Sequence, residues 1–202
     1  MQELLVDFIT SLDGYASAEG WPGWWGVEGP EYLRWLEEQP ERDYTLLMGA
    51  TTYRLMSGFA ETAASTPDAL RDEERDSFTE LNAASKVVFS RSLQSPLQWE
   101  NARLVSDDAV EAIRAMKRDG DVPLRTLGSI SLCRSLLRAG LVDRFRVGIF
   151  PVITGATGAE RIYDGYPDVA LDMIASHTFD GRIQIVEYTP RILDGPPAPP
   201  AA

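Results

Sequence analysis

The segment 123–152 constrains the fold more than any other part of the chain. A short strand-like run (PLRTL, 123–127) breaks at Gly128-Ser129. A helical pattern then runs from Ile130 to about Ala139, Gly140 stops it as a C′ residue, and a long strand-like run follows over 142–152. Strand, helix and strand in succession require a crossover and a parallel pairing. The same alternation recurs upstream. Residues 3–10 (ELLVDFIT), 44–48 (YTLLM), 86–90 (KVVFS) and 103–105 (RLV) read as strands. A helix is expected from Pro30, which suits the first helical position, and Pro40 lies just past its end. Thr51 is placed to cap a short helix to Ser57, 58–67 reads as a loop and 68–82 as a charged amphipathic helix. Ser106 or Asp107 is expected to cap a helix to about Arg118. A glycine-bearing loop covers 154–165, and Asp180-Gly181 between 169–179 and 182–189 is a strong hairpin signal. The expected architecture is α/β, with a largely parallel sheet, helices on both faces and antiparallel strands at the C-terminal edge.

Composition limits the chemistry. The 202 residues (22.4 kDa) are enough for one core without covalent staples, and 44% hydrophobic with 25% charged residues is globular composition. The expected division is a domain over 1–192 and a disordered Pro/Ala-rich tail over 193–202. One cysteine, Cys133, and one histidine, His177, exclude a disulfide framework and a multi-thiolate or multi-histidine metal centre. Cys133 is expected to be a small buried thiol and His177 a structural or surface residue. A net charge of −12 repels nucleic acid and anionic membranes, and the acidic 68–76 stretch reads as a solvated face. The apolar runs are too short for a membrane span, and the acidic Met1-Gln2-Glu3 start does not resemble a signal peptide, so a cytoplasmic protein is expected.

In open α/β sheets, ligands sit beyond the carboxyl ends of the strands. Three junctions qualify. Gly128-Ser129-Ile130-Ser131 delivers a strand straight into a helix, whose free N–H groups and dipole favour phosphate. Gly49-Ala50-Thr51-Thr52-Tyr53 repeats that geometry after the second strand. Ser90-Arg91-Ser92 ends the third strand with a guanidinium able to pair with a phosphate. Each is also compatible with an ordinary capped helix or a surface arginine; together they should line one edge of one sheet. No G-x-G-x-x-G, Walker A or G-x-S-x-G motif occurs. Residues 20–30 (GWPGWWGVEGP) place Trp21, Trp24 and Trp25 beside Glu28 and Glu31. They read either as a stacking surface for a planar ring with a nearby carboxylate, or as a hydrophobic plug.

The pattern resembles the dihydrofolate reductase fold, and more closely the RibD C-terminal family of riboflavin biosynthesis reductases. The resemblance rests on SLDGY (11–15), LLMGATTY (46–53), KVVFSRSL (86–93), LGSISLCRSLLRAGLVDRFRVGIFPVITG (127–155) and the closing hairpin. It implies a three-layer αβα fold with a mixed, mostly parallel sheet and NADPH along the strand ends. Gly49, Ala50, Thr51 and Thr52 would hold its phosphates, and Ser90, Arg91 and Ser92 the adenosine ribose with its 2′-phosphate. Leu127, Gly128, Ser129, Ile130 and Leu132 would cradle the pyrophosphate. Phe8, Ile9 and Ala16 would face the nicotinamide, Trp24 and Trp25 the substrate, and Glu31 or Glu28 would be the catalytic carboxylate.

Two residues depart from the family pattern. Ala50 stands where an arginine is frequent, which leaves NADH as an alternative cofactor, and Ile130 replaces a small residue. No zinc-bearing deaminase motif and no dedicated basic cluster for a ribose phosphate is present. The resemblance implies an NADPH-dependent reductase of a small planar heterocycle, pterin- or pyrimidine-like, acting as a homodimer without metal. The alternative is a non-catalytic dinucleotide-binding homodimer that kept the fold.

Overall fold

Side-chain alternation along β1 (Leu4–Ser11) defines two faces at once. Leu4, Val6 and Phe8 enter one core cluster, while Ile9 joins another on the opposite face, the face that also takes Asp7. The computed structural model describes residues 1–20, 25–65 and 79–195. After β1 come β2 (Tyr15–Ala18), α1 (Pro30–Glu38), β3 (Thr45–Gly49), α2 (Ala50–Ser65), β4 (Lys86–Phe89) and β5 (Ala102–Val105). Then follow α3 (Ala109–Asp119), β6 (Leu124–Thr126), α4 (Ile130–Arg138), β7 (Arg144–Phe150), β8 (Gly158–Arg161), β9 (Val169–Phe179) and β10 (Ile183–Ile192).

Eight strands form one sheet in the order β5-β4-β3-β6-β1-β7-β10-β9. Neighbours from β5 to β7 are parallel, and β10 and β9 add antiparallel pairs. Helices α3 and α4 cover one face through Ile113, Leu132, Cys133, Leu136 and Leu137, packed on Leu4, Val6, Leu47 and Val147. On the other face Tyr53 and Ala60 of α2 cover Leu46, Met48 and Val88, and Tyr32, Trp35 and Leu36 of α1 cover Phe150, Ile183 and Ile185. The three-layer αβα arrangement with a mixed, mostly parallel sheet is the one the sequence implied.

The local signals explain most boundaries. Gly140 has φ +63, the left-handed C′ geometry that ends α4. Asp180 and Gly181 have φ +53 and +64, the pair of positive angles that turns the chain over 180–182, where the Arg182 amide donates to the Phe179 carbonyl at 3.0 Å.

Four expectations are corrected. Helix α2 starts at Ala50 and continues to Ser65 through the supposed loop, where the good helix formers Ala60, Glu61, Ala63 and Ala64 outweigh the single Gly58. Asp108, not Ser106 or Asp107, caps α3, accepting from the amides of Val110 and Glu111. The long strand is shorter than expected, ending at Phe150. The 154–165 loop contains β8, which pairs with β2 in a separate two-stranded sheet. Of the expected charged helix, 79–83 is helical and the remainder, like the tail beyond 195, lies outside the described residues.

Candidate active site at the carboxyl edge of the sheet

The two glycine-led junctions meet. The Ser129 hydroxyl accepts from the Gly49 amide at 2.8 Å and donates to Thr52 Oγ1 at 2.8 Å. Ser129 itself sits at φ +67, unfavourable for a residue with a side chain, and it provides no cap to α4. Its hydroxyl is committed to joining the crossovers, so the first-turn amides of α4 are free of a side-chain cap. Gly128 has φ +57, and a Cβ there would lie 3.9 Å from Thr52 Oγ1; one at Gly49 would lie 3.7 Å from Ser129 Oγ. Backbone and hydroxyls therefore line a cradle without bulky side chains, which fits a pyrophosphate. Thr51 is exposed, whereas Ala50 and Thr52 are half-buried at the same edge. Leu132 is buried in the core below α4, with Ile130 packed against that core and Leu127 against the α2 side. These three shape the cradle from behind, and their side chains do not line it together.

At the end of β4, Ser90 Oγ accepts from the amides of Ser92 and Leu93 at 3.1 and 3.2 Å, building a tight turn that leaves Arg91 exposed. Arg54, one helical turn from Ala50 on α2, reaches the same turn, with Nη2 3.5 Å from Ser92 Oγ. Sequence reading missed Arg54, although its i+4 spacing from Ala50 placed it on the same helix face.

The expected nicotinamide-facing trio divides. Phe8 packs against Phe145 on the α4 side, with ring centroids 6.3 Å apart, and Ala16 joins that side. Ile9 faces the opposite side, so the three side chains do not form one apolar wall. Asp13 was not singled out, yet it fastens the turn after β1. It accepts from Ser11 Oγ at 2.6 Å and from the amides of Thr154 and Gly155 at 3.2 and 2.9 Å. The Ser11 hydroxyl and then the Gly155 amide hold its carboxyl at about pKa 2. The S-x-D spacing was the available signal.

Trp25 is 1% exposed and belongs to the core beneath α1, so of the two readings of the aromatic loop its placement matches the plug. Trp24 lies outside the described residues. Glu28 accepts from the Trp25 amide at 3.2 Å. Glu31 faces the hairpin turn: its carboxylate accepts from the Asp180 amide at 2.6 Å, while Asp180 accepts from the amides of Glu31 and Tyr32, each at 3.1 Å. This reciprocal cap replaces the missing side-chain cap at Gly29. A Cβ at Gly29 would lie 2.2 Å from Asp180 Cγ, so only glycine admits the contact.

The face under α1 carries a charged seam that sequence reading did not anticipate. Arg146, 1% exposed, donates through Nε and Nη2 to Asp7 at 3.2 and 2.9 Å and to Gln39 at 2.7 Å, and its Nη1 lies 3.5 Å from Glu41. Arg144 joins Glu3, Glu41 and Glu187. Arg125 Nη2 reaches Asp7 at 2.8 Å. Burial would raise the Asp7 pKa, but Arg146 and then Arg125 outweigh it and hold the carboxyl at about 2. Asp7 is thus a permanent anion at neutral pH and no proton donor. Burial, reinforced by Asp7, pushes the Tyr32 hydroxyl well above its ordinary value.

Other features lie away from this edge. A cavity of about 610 Å³ opens at the amino ends of β4 and β5, lined by Lys86, Trp99 and Asn101 among others. The Lys86 ammonium there is committed to the carbonyls of Asn82, Ala84 and Glu100, and burial lowers its pKa to about 8. Cys133 is buried and its thiol pushed up to about 12, and His177 is exposed on β9. Among the described residues, no cluster of three His, Cys, Asp or Glu could hold a metal, and no helix is long and apolar enough to cross a membrane.

Comparison with known proteins agrees with the fold. The chain is 25% identical over 188 residues to the uncharacterised protein YyaP of Bacillus subtilis, covering 93% of this chain and 95% of YyaP. A protein of Shewanella sp. PV-4 provisionally assigned to riboflavin biosynthesis superposes with a TM-score of 0.66 at 18% identity, covering 95% and 99% of the two chains. The deaminase/5-amino-6-(5-phosphoribosylamino)uracil reductase of Thermotoga maritima superposes with a TM-score of 0.61 at 17% identity, over 94% of this chain and 57% of that one. The family model of the RibD C-terminal domain matches residues 2–185, and the chain belongs to that reductase family.

Proposed function

We propose that this chain is an NADPH-dependent reductase of a small planar heterocycle. The observation that carries the reading is the Ser129 hydroxyl, which bonds Gly49 and Thr52 and so brings two glycine-led crossovers onto one groove. The α4 first-turn amides would hold the pyrophosphate with Thr51 and Thr52, and Arg91 would take the 2′-phosphate. When bound, NADPH supplies the hydride; the protein orients the ring and excludes water. Family membership adds that RibD C-terminal domains are reductases. The test is titration of the purified chain with NADPH and NADH. Saturable NADPH binding with a thermal shift is expected, and no shift at millimolar cofactor would sink the reading.

One observation favours a second reading, a dinucleotide-binding protein without turnover. Glu31 is engaged in a cap and Asp7 stays ionised, so neither is placed to deliver a proton. NADPH binding with no oxidation across pterins, pyrimidines and flavin precursors would decide for it.

The proposed assembly is a homodimer through the C-terminal hairpin. Leu171, Met173, Ile174 and Ile192 are each at least 39% exposed there. Sedimentation at micromolar concentration should show a dimer; a pure monomer would remove this part of the proposal.

A further inference from the structure

We infer that Arg54 is a specificity-determining residue for the cofactor, joining Arg91 to grip a phosphate monoester, the 2′-phosphate of NADPH. The inference rests on the reductase reading above and deepens it, because that reading asks Arg91 alone to tell NADPH from NADH.

Strand register puts both arginines at the carboxyl edge of the sheet. Gly49, the last residue of β3, pairs with Phe89, the last of β4, so Ala50 and Ser90 leave the sheet side by side. Arg54 follows Ala50 by one turn of α2 and lies on the same helix face. Its Nη2 is 3.5 Å from Ser92 Oγ, so helix and turn meet at this guanidinium. Arg54, Arg91 and Ser92 are all exposed and open to a ligand.

Packing fixes the two elements against each other. The hydroxyl of buried Tyr53 accepts from the amides of Gln98 and Trp99 at 3.1 and 3.4 Å, which ties α2 to the segment after the turn. Leu93 packs into the same cluster as Tyr53, and Ser90 Oγ holds the turn through the Ser92 and Leu93 amides. The backbone carrying the donors is in place before a ligand arrives, which lowers the cost of ordering them.

The pair lacks an anion. The chain has 31 acidic residues against 19 basic ones, yet neither guanidinium has a carboxylate partner among the described residues. Arg144 and Arg146, by contrast, are both matched by carboxylates. Two guanidinium groups beside the Ser92 hydroxyl suit a dianion, and each can hold phosphate oxygens bidentately. A monoester carries that charge on one phosphorus, whereas each phosphorus of the pyrophosphate diester carries one negative charge.

The order of strands selects the phosphate. The cradle of Gly49, Thr52 and Ser129 joins the ends of β3 and β6, and β4 lies on the other side of β3. The arginine turn therefore stands one strand further out, roughly 5 Å, on the side away from β1. That is the adenosine side of the proposed cofactor, and a phosphate carried by the substrate would lie across the cradle from it.

The probes, in calorimetric titration of the full chain, are NADPH, NADH, adenosine 2′,5′-bisphosphate, 5′-AMP and ribose 5-phosphate. Wild type should bind NADPH and the bisphosphate about tenfold or more tighter than NADH and 5′-AMP, the range of one hydrogen bond to a charged group. Arg54→Gln should weaken NADPH and the bisphosphate about tenfold and leave NADH and 5′-AMP within about twofold. An unchanged NADPH preference in a folded Arg54→Gln protein overturns the inference and leaves Arg91 and the reductase reading intact. Equal losses for NADPH and NADH overturn it as well. So does a wild type that binds the bisphosphate no tighter than 5′-AMP, whether or not the variant folds. Loss of ribose 5-phosphate binding with the bisphosphate unaffected would assign Arg54 to the substrate and overturn its cofactor role. Failure of wild type to bind either nicotinamide cofactor overturns the reductase reading, and this inference with it.

Discussion

The carboxyl edge of the sheet and the seam under α1 solve opposite problems with polar groups. At the edge, Gly49, Gly128 and Ser129 keep side-chain bulk away, and the amides opening α4 have no side-chain cap. In the seam, Asp7, Glu41 and Glu187 face Arg144 and Arg146, and those charges are matched inside the protein. An uncommitted donor beside a strand end is a place for a ligand. A buried charge with all its partners is a fixed strut, and its removal harms the fold before it harms binding.

The largest effect should come from the strut. Arg146→Ala leaves Asp7 and Glu41 buried without their main cation and should cost about 3–5 kcal/mol of stability. Urea unfolding measures it; a loss under about 1 kcal/mol would mean the seam is not a strut. The edge should respond in binding instead. Arg91→Ala should cost roughly 1.5–3 kcal/mol of NADPH affinity, with NADH and melting temperature little changed. Equal losses for both cofactors would show Arg91 misplaced.

Acid separates the regions too. The Asp7 pKa falls from 3.8 to about 2 on folding, so in that window the unfolded chain binds more protons than the native one. Its contribution is complete above about pH 4 and lost as pH drops toward 2, on the order of 2 kcal/mol. The wild-type stability curve should show this loss, and a folded Asp7→Asn protein should show a shallower slope there. The smallest effect is expected at the hairpin. Asp180→Ala removes the α1 cap and should cost about 1 kcal/mol, read as faster amide exchange at Glu31 and Tyr32.

The edge was legible in the sequence because its instructions are local. Glycine before a helix, glycine after one, and Asp-Gly between two β-patterned runs each act within a few residues. The seam was not. Arg144 and Arg146 alternate with Phe145 and Val147, the pattern of a half-solvated strand. Only the arrival of Glu41 and α1 from distant segments turns that charged face inward. Distance also hid the β2–β8 pair and the capping contact of Glu31. Its partner, Asp180, is 149 residues away, and only the family resemblance, not any local signal, had assigned the carboxylate a catalytic role. The stretch from Gly58 shows the reverse error: its small and polar residues read as a loop, yet α2 runs on through them to Ser65.

The Asp180 cap also bears on biosynthesis. A ribosome releases residues 30–38 well before the turn at 180–181 that holds their first amides. During that interval water must serve those N–H groups, and the helix cannot be anchored at its leading end. Nascent chains halted before the final β-ribbon should therefore be more open to protease at this N-terminal stretch than at the central crossovers.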